Sequence, residues 1–155
     1  MHSVFLKRGL LLFWAVWLSI VVATNLLDGM KALGQLGESW AFASGNYRFL
    51  AETTARYGTP AWLNGVLFAG VVCWEGVAAV LFWLAWRGFG GQGRGTRLVY
   101  AAFMAGLGLW AAFLLADELC IAYAVEDTHL LLFTAHLATL LAVELLPEGM
   151  PPDRA

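Results

Sequence analysis

Four stretches of the chain are long, apolar and free of charge. Gly9 to Leu27 is 19 residues, and Tyr57 to Trp74 is 18 residues, followed after Glu75 by 11 more to Trp86. Leu98 to Ala116 is another 19, and Thr128 to Val143 is 16 residues interrupted only by His129 and His136. Each reaches or approaches the ~20 helical residues that a bilayer core requires. None carries the polar stripe of a helix half exposed to water. Lipid offers no partner to an open sheet edge, so the runs predict helices. The expected fold is all-α, a four-helix transmembrane bundle forming a single domain over residues 1–155, with spans at about 9–28, 61–86, 98–118 and 128–146. The first run follows Lys7-Arg8 like a signal peptide, but it is too long. Asn25-Leu26-Leu27-Asp28 offers no small-residue cleavage site, so it reads as a retained span.

Between the runs the polar positions set an orientation. Lys7, Arg8, Arg87, Arg94, Arg97 and Arg154 fall on one side. Lys31, Arg48 and Arg56 fall on the other, with Asp28, Glu38, Glu52, Asp117, Glu118, Glu126 and Asp127. The positive-inside rule assigns both termini and the Gly-rich link 87–97 to the cytoplasm. Loop 28–60 and turn 117–127 then face outward. Within that loop, Ser39–Ala43 and Tyr47–Ala51 have the apolar spacing of short interfacial helices. Asp127-Thr128 is placed to cap the last span. Trp14, Trp17, Trp62, Trp83, Trp86 and Trp110 mostly fall toward span ends, as aromatic belts do. Ala69, Cys73, Gly76 and Ala79 give span two a small face, and Ala102, Ala105, Gly106 and Gly108 do the same for span three. Phe68, Phe82, Phe103, Phe113 and Phe133 are left to meet lipid or a partner subunit.

Composition sharpens this picture. Of 155 residues, 61% are apolar and 13% charged, with mean hydropathy +0.71. Soluble domains carry about 25% charged residues. A net charge of −2 excludes a nucleic-acid footprint, which needs a basic face against phosphates. Two cysteines, Cys73 and Cys120, are too few for a disulfide scaffold or a thiolate metal site.

The candidate chemistry lies in polar groups at membrane depth. Glu75 stands near the middle of span two beside Trp74. A carboxylate facing lipid there costs on the order of 2.5–3.5 kcal/mol, so it should face the bundle interior. It serves there either as a packing hydrogen bond or as a substrate, ion or proton site. His136 lies about 12 Å into span four and Glu75 roughly 16 Å below the outer surface, which makes them partners at one depth. His129 is seven residues earlier on the same face, so a column His129, His136, Glu75 could run inward. Equally, His129 reads as an interfacial helix-end residue and His136 as a structural hydrogen bond. Asn25, Asp28, Asp117, Glu118 and Glu126 enrich the outer mouth in oxygen ligands. These could hold a divalent cation or be solvated helix ends, and the metal stays unknown. Haem is disfavoured within one chain: His129 and His136 are about 10 Å apart on one helix and cannot grip one iron. No Ser–His–Asp set, phosphate loop or dinucleotide fingerprint occurs in the sequence.

These residues resemble a bacterial family of small integral membrane proteins, domain of unknown function 2165. The likeness rests on Thr24-Asn25-Leu26-Leu27-Asp28 closing span one, Asn46-Tyr47-Arg48-Phe49 in the outer segment, Trp74-Glu75 in span two and Pro147-Glu148 after the last span. Ala116-Asp117-Glu118 lacks the family's two glycines, and the family's Arg in span four has no match, His136 standing near that place. Quinone-linked four-span families of the DoxX type offer a second likeness. The resemblance implies a four-span multi-pass protein of the bacterial inner membrane and a site region, without an established activity.

Three readings follow. The first is a non-catalytic accessory or structural subunit of a larger membrane complex, with membrane lipid and other subunits or further copies as partners. The second is a binding or transfer protein in which Glu75 and His136 handle a proton, a cation or a quinone-like lipophile. The third is an oxidoreductase component with a metal at the outer mouth.

Overall fold

The structure is a computed structural model that describes residues 2–90 and 93–147. Gly91 and Gln92 of the Gly-rich link, and the tail carrying Glu148 and Arg154, lie outside the described residues, as do the side chains of His2 and Arg94. Five α-helices follow in order: α1 (His2–Ala32), α2 (Asn46–Thr54), α3 (Ala61–Gly88), α4 (Arg94–Cys120) and α5 (Tyr123–Leu145). A 3-10 turn, Ala55–Tyr57, extends α2. No strand occurs among the described residues.

Four of these helices are long and apolar enough to cross a membrane. They run 31, 28, 27 and 23 residues, or about 35 to 46 Å at 1.5 Å per residue. They therefore exceed both the uncharged runs and a hydrocarbon core of about 30 Å. Charged ends such as Lys7 and Lys31 continue the helix because nothing in the chain breaks it before Gly34, where φ is +69°. The last span also starts earlier than Asp127-Thr128 suggests. Its N-cap position is Ala122, without a side-chain cap, and Thr128 lies inside the helix. The turn before it is made by Ile121 at φ +52°, where Ala122 N–H donates to Asp117 C=O at 2.8 Å.

Pairs across the helices show that neighbours in sequence run antiparallel. Arg8 lies 5.8 Å from the Trp86 ring, Trp83 Nε1 donates to Ser19 Oγ at 3.0 Å, and Asn25 reaches Glu75. Phe82 meets Phe103 edge to face at 5.1 Å between α3 and α4. The order of contact is α1, α3, α4, α5, and α1 scarcely touches α5. That last seam is closed by Trp14, whose ring centroid is 3.7 Å from His136 and whose Nε1 donates to Thr139 Oγ1 at 3.2 Å.

The core overturns several expectations about faces. Phe68, Phe82 and Phe103 do not meet lipid: Phe82 and Phe103 are buried in the core between α3 and α4, and Phe68 is buried against Gly29 of α1 and Tyr47 of α2. Trp14 and Trp110 are interior side chains, not belt residues. Ala69 and Cys73 of the expected small face point outward, and only Ala79 of that set is buried. On α4 the small face holds, with Ala102 and Gly106 buried. The buried small residues of α3 are Ala78, Ala79 and Ala85, a different set that packs beside the Phe82 ring. In the loop, Asn46–Thr54 is helical but Ser39–Ala43 is not. Outward surfaces remain strongly apolar, with Phe5, Trp62, Met104, Leu119 and Leu131 largely exposed. Water-soluble monomers rarely show such continuous apolar surface.

Candidate functional site

Two clusters of polar groups stand inside the bundle. The first joins α1, α2 and α3. Glu75, 3% exposed, accepts at Oε2 from Asn25 Nδ2 at 2.7 Å. Asn25 Oδ1 in turn accepts from Asn46 Nδ2 at 2.9 Å. One turn along α1, Asp28 Oδ2 accepts from Tyr47 N–H at 2.7 Å and from Ser44 Oγ at 3.2 Å. Asp28 thus caps α2 from another helix. Gly45, in the N-cap position, has no side chain to do so. A carboxylate at a helix N-terminus also meets the positive end of its dipole. Three short segments distant in sequence (Asn25…Asp28, Ser44…Tyr47 and Glu75) meet in one network.

The second cluster joins α1, α4 and α5. His129 Nδ1 and Asp117 Oδ2 are 2.5 Å apart, and the imidazole stacks on Phe113 with centroids at 4.7 Å. His136 is wholly buried. Its Nδ1 is 3.1 Å from the donating Trp110 Nε1 and 3.3 Å from Leu132 C=O. Nδ1 can accept from the indole or donate to the carbonyl, never both. In either tautomer Nε2 has no partner. It faces Gly106, where a Cβ would stand 2.6 Å from it. The glycine is therefore what admits the ring between α4 and α5. Trp110 and Asp117 are seven residues apart on α4, and His129 and His136 seven apart on α5. Two antiparallel helices in contact place such pairs opposite one another.

The structure separates what the depth estimate paired. Glu75 and His136 share no hydrogen bond. The neighbours of His136 include Trp14 and Phe82. Phe82 is seven residues beyond Glu75, about 10 Å along the axis, and Trp14 is eleven before Asn25. The imidazole lies nearer the end of the bundle that holds the N-terminus, and no column His129, His136, Glu75 forms. The acids expected at the outer mouth divide as well. Asp28 belongs to the first cluster and Asp117 to the second, while Glu118 and Glu126 join neither. Among the described residues no three His, Cys, Asp or Glu side chains gather as metal ligands. Trp74 is partly exposed on α3; its Nε1 donates to Ala105 C=O at 3.0 Å and its ring lies against Gly108.

Asn46, Ser44, Tyr47, Trp110 and Gly106 are the participants that the sequence reading left out. Asn46 and Tyr47 stand in a motif already singled out. The matched seven-residue spacings were the available signal for Trp110. A cavity of about 520 Å³ lies at the other end of the bundle, lined by Lys7, Thr96, Val99, Glu144 and Pro147 among others. A groove of about 390 Å³ runs along α1 beside Phe13 and Trp17. Glu75 and His136 line neither.

A scan against protein-family models finds no match to this chain, and comparisons with curated proteins and with solved structures find none either.

Proposed function

We propose that the chain is a multi-pass protein of a bacterial inner membrane, with both termini cytoplasmic, that serves as a non-catalytic accessory or structural subunit of a larger membrane complex. Its likeness to the domain of unknown function 2165 family belongs to this proposal and adds no activity to it. The observation that carries the reading is the engagement of Glu75 by Asn25. The most costly group in the spans is used to join two helices. His129 with Asp117 and Trp74 with the Ala105 carbonyl repeat that use. Interhelix hydrogen bonds in membranes contribute about 0.6 kcal/mol on average, enough to set register without serving chemistry. Native mass spectrometry from mild detergent should find the chain in a stoichiometric assembly, with further copies or other membrane subunits. Glu75→Gln should leave that assembly intact, since the amide still accepts from Asn25. A chain that is strictly monomeric and alone in lipid would overturn the reading.

The second reading, transfer of a proton, a cation or a quinone-like lipophile, is favoured by one feature. The chain Asn46, Asn25, Glu75 leads from an exposed amide to a buried carboxyl, while His136 keeps an unpartnered Nε2. Under this reading Glu75→Gln and His136→Ala, made separately, abolish binding or transport in protein that still assembles. Unchanged binding and transport in both would sink it.

A further inference from the structure

The segment over the mouth of the bundle is built differently from the bundle itself. Residues 46–57 form one short continuous helical unit, α2 with its 3-10 turn, bracketed by Gly45 at φ +78° and Gly58 at φ +65°. Both glycines hold left-handed backbone that other residues adopt at a cost, and both can change it freely. Of the whole unit only Thr54 is buried.

Its hydrogen bonds reach three helices. Asn46 bonds Asn25, and Asp28 receives Tyr47 N–H, on α1. Thr54 Oγ1 bonds Asn64 Oδ1 at 2.9 Å on α3. Tyr57 OH donates to Leu119 C=O on α4. The ring pair Tyr47–Phe68, at 5.4 Å, adds an apolar contact, and Leu50 is partly buried. Polar ties next to water exchange readily for hydration, and elements with few buried apolar contacts are those that open locally. Beneath the N-terminus of α2 lie Asn25, 1% exposed, and Glu75, bonded to it.

From these ties we propose that residues 46–57 are a lid, hinged at Gly45 and Gly58 and clasped by Asp28 and Asn25, that controls aqueous access to Glu75 from the loop end of the bundle. The lid stands on its own ties and requires neither functional reading. Its test measures chemical access, so it can fail while transfer stands, and the reverse.

The probe is a water-soluble carbodiimide with a small amine, applied to the full chain in proteoliposomes. Amide formation at each carboxyl is followed by peptide mass. In the native protein Glu75 should react at least tenfold more slowly than exposed Glu52. Asp28→Ala and Asn46→Ala should each speed Glu75 labelling fivefold or more, with Glu52 unchanged. Tyr57→Phe, which frees the far end, should give a smaller rise. A cysteine pair made by Thr54→Cys and Asn64→Cys, where the native side chains meet at 2.9 Å, combined with Cys73→Ser and Cys120→Ser, should act oppositely, because its disulfide ties the unit itself to α3. Labelling should fall on oxidation and recover on reduction. This pair decides the matter even where a clasp variant fails to fold. Native Glu75 labelling as fast as Glu52, or a rate indifferent to the Thr54–Asn64 crosslink, would overturn the lid.

Discussion

At the scale of single residues, the tightest constraint is the fit of His136 against Gly106. Hydrogen at position 106 is what leaves room for the imidazole. Gly106→Ala should therefore destabilise the protein by about 1–3 kcal/mol, the usual cost of overpacking. His136→Ala should cost about 3 kcal/mol through lost ring packing. With the ring removed, adding Gly106→Ala should cost almost nothing further. A double-mutant cycle from reversible unfolding in mixed micelles measures this coupling. Simple additivity would show that the glycine and the ring do not oppose one another. Asn25 and Glu75 make a second testable pair. Asn25→Ala leaves a buried carboxyl without its donor and should cost more than Glu75→Gln, which keeps an acceptor for the same amide. Equal costs would argue against that hydrogen bond.

Among the elements, the α4–α5 hairpin carries a visible strain. Ile121 is the one non-glycine at positive φ among the described residues, and it is β-branched and half exposed. The left-handed conformation costs such a residue roughly 1–2 kcal/mol. Ile121→Gly should stabilise the hairpin by about 1 kcal/mol after the entropy of glycine is counted, read as a rise in melting temperature. A fall would mean that the Ile121 side chain contributes more than its backbone costs. Helix identity was legible here from run length alone. Helix ends were not, because Lys7, Lys31, Asp117 and Glu126 look like boundaries in one dimension. Backbone hydrogen bonds inside a helix carry such residues along at little cost once its middle is anchored.

For the molecule as a whole, the outward apolar surface is the property with the largest consequences. Cys73 illustrates it, being exposed on the outer face of α3 two residues before a buried glutamate. In proteoliposomes Cys73 should react with a lipid-soluble maleimide and resist a charged, impermeant one by at least tenfold. Equal reaction with both would place that face in water and contradict a membrane-spanning bundle. The pattern of buried rings also explains why α5 presents so much of itself outward. It is held by His129, His136, Thr139 and Val143 to α4 and Trp14, with little direct contact to α1.

Four long apolar helices, their approximate places and the inward turn of Glu75 could be read from the amino acids in order. Burying backbone and charge in lipid leaves so few solutions that run length and one isolated acid suffice. The partners of the polar groups could not be read so. They depend on each helix's rotation and axial register, which set Asn25 beside Glu75 and His136 beside Phe82, about 10 Å further along α3. Depth counted from span edges was too coarse to tell these apart, since α1, α4 and α5 run past their uncharged stretches at both ends and α3 starts four residues inside its own. Packing of Trp14, Phe82, Phe103 and Trp110 set that register. It brought Asn46 and Asp28, which the order of residues leaves in a loop and at a helix end, into one network over Glu75.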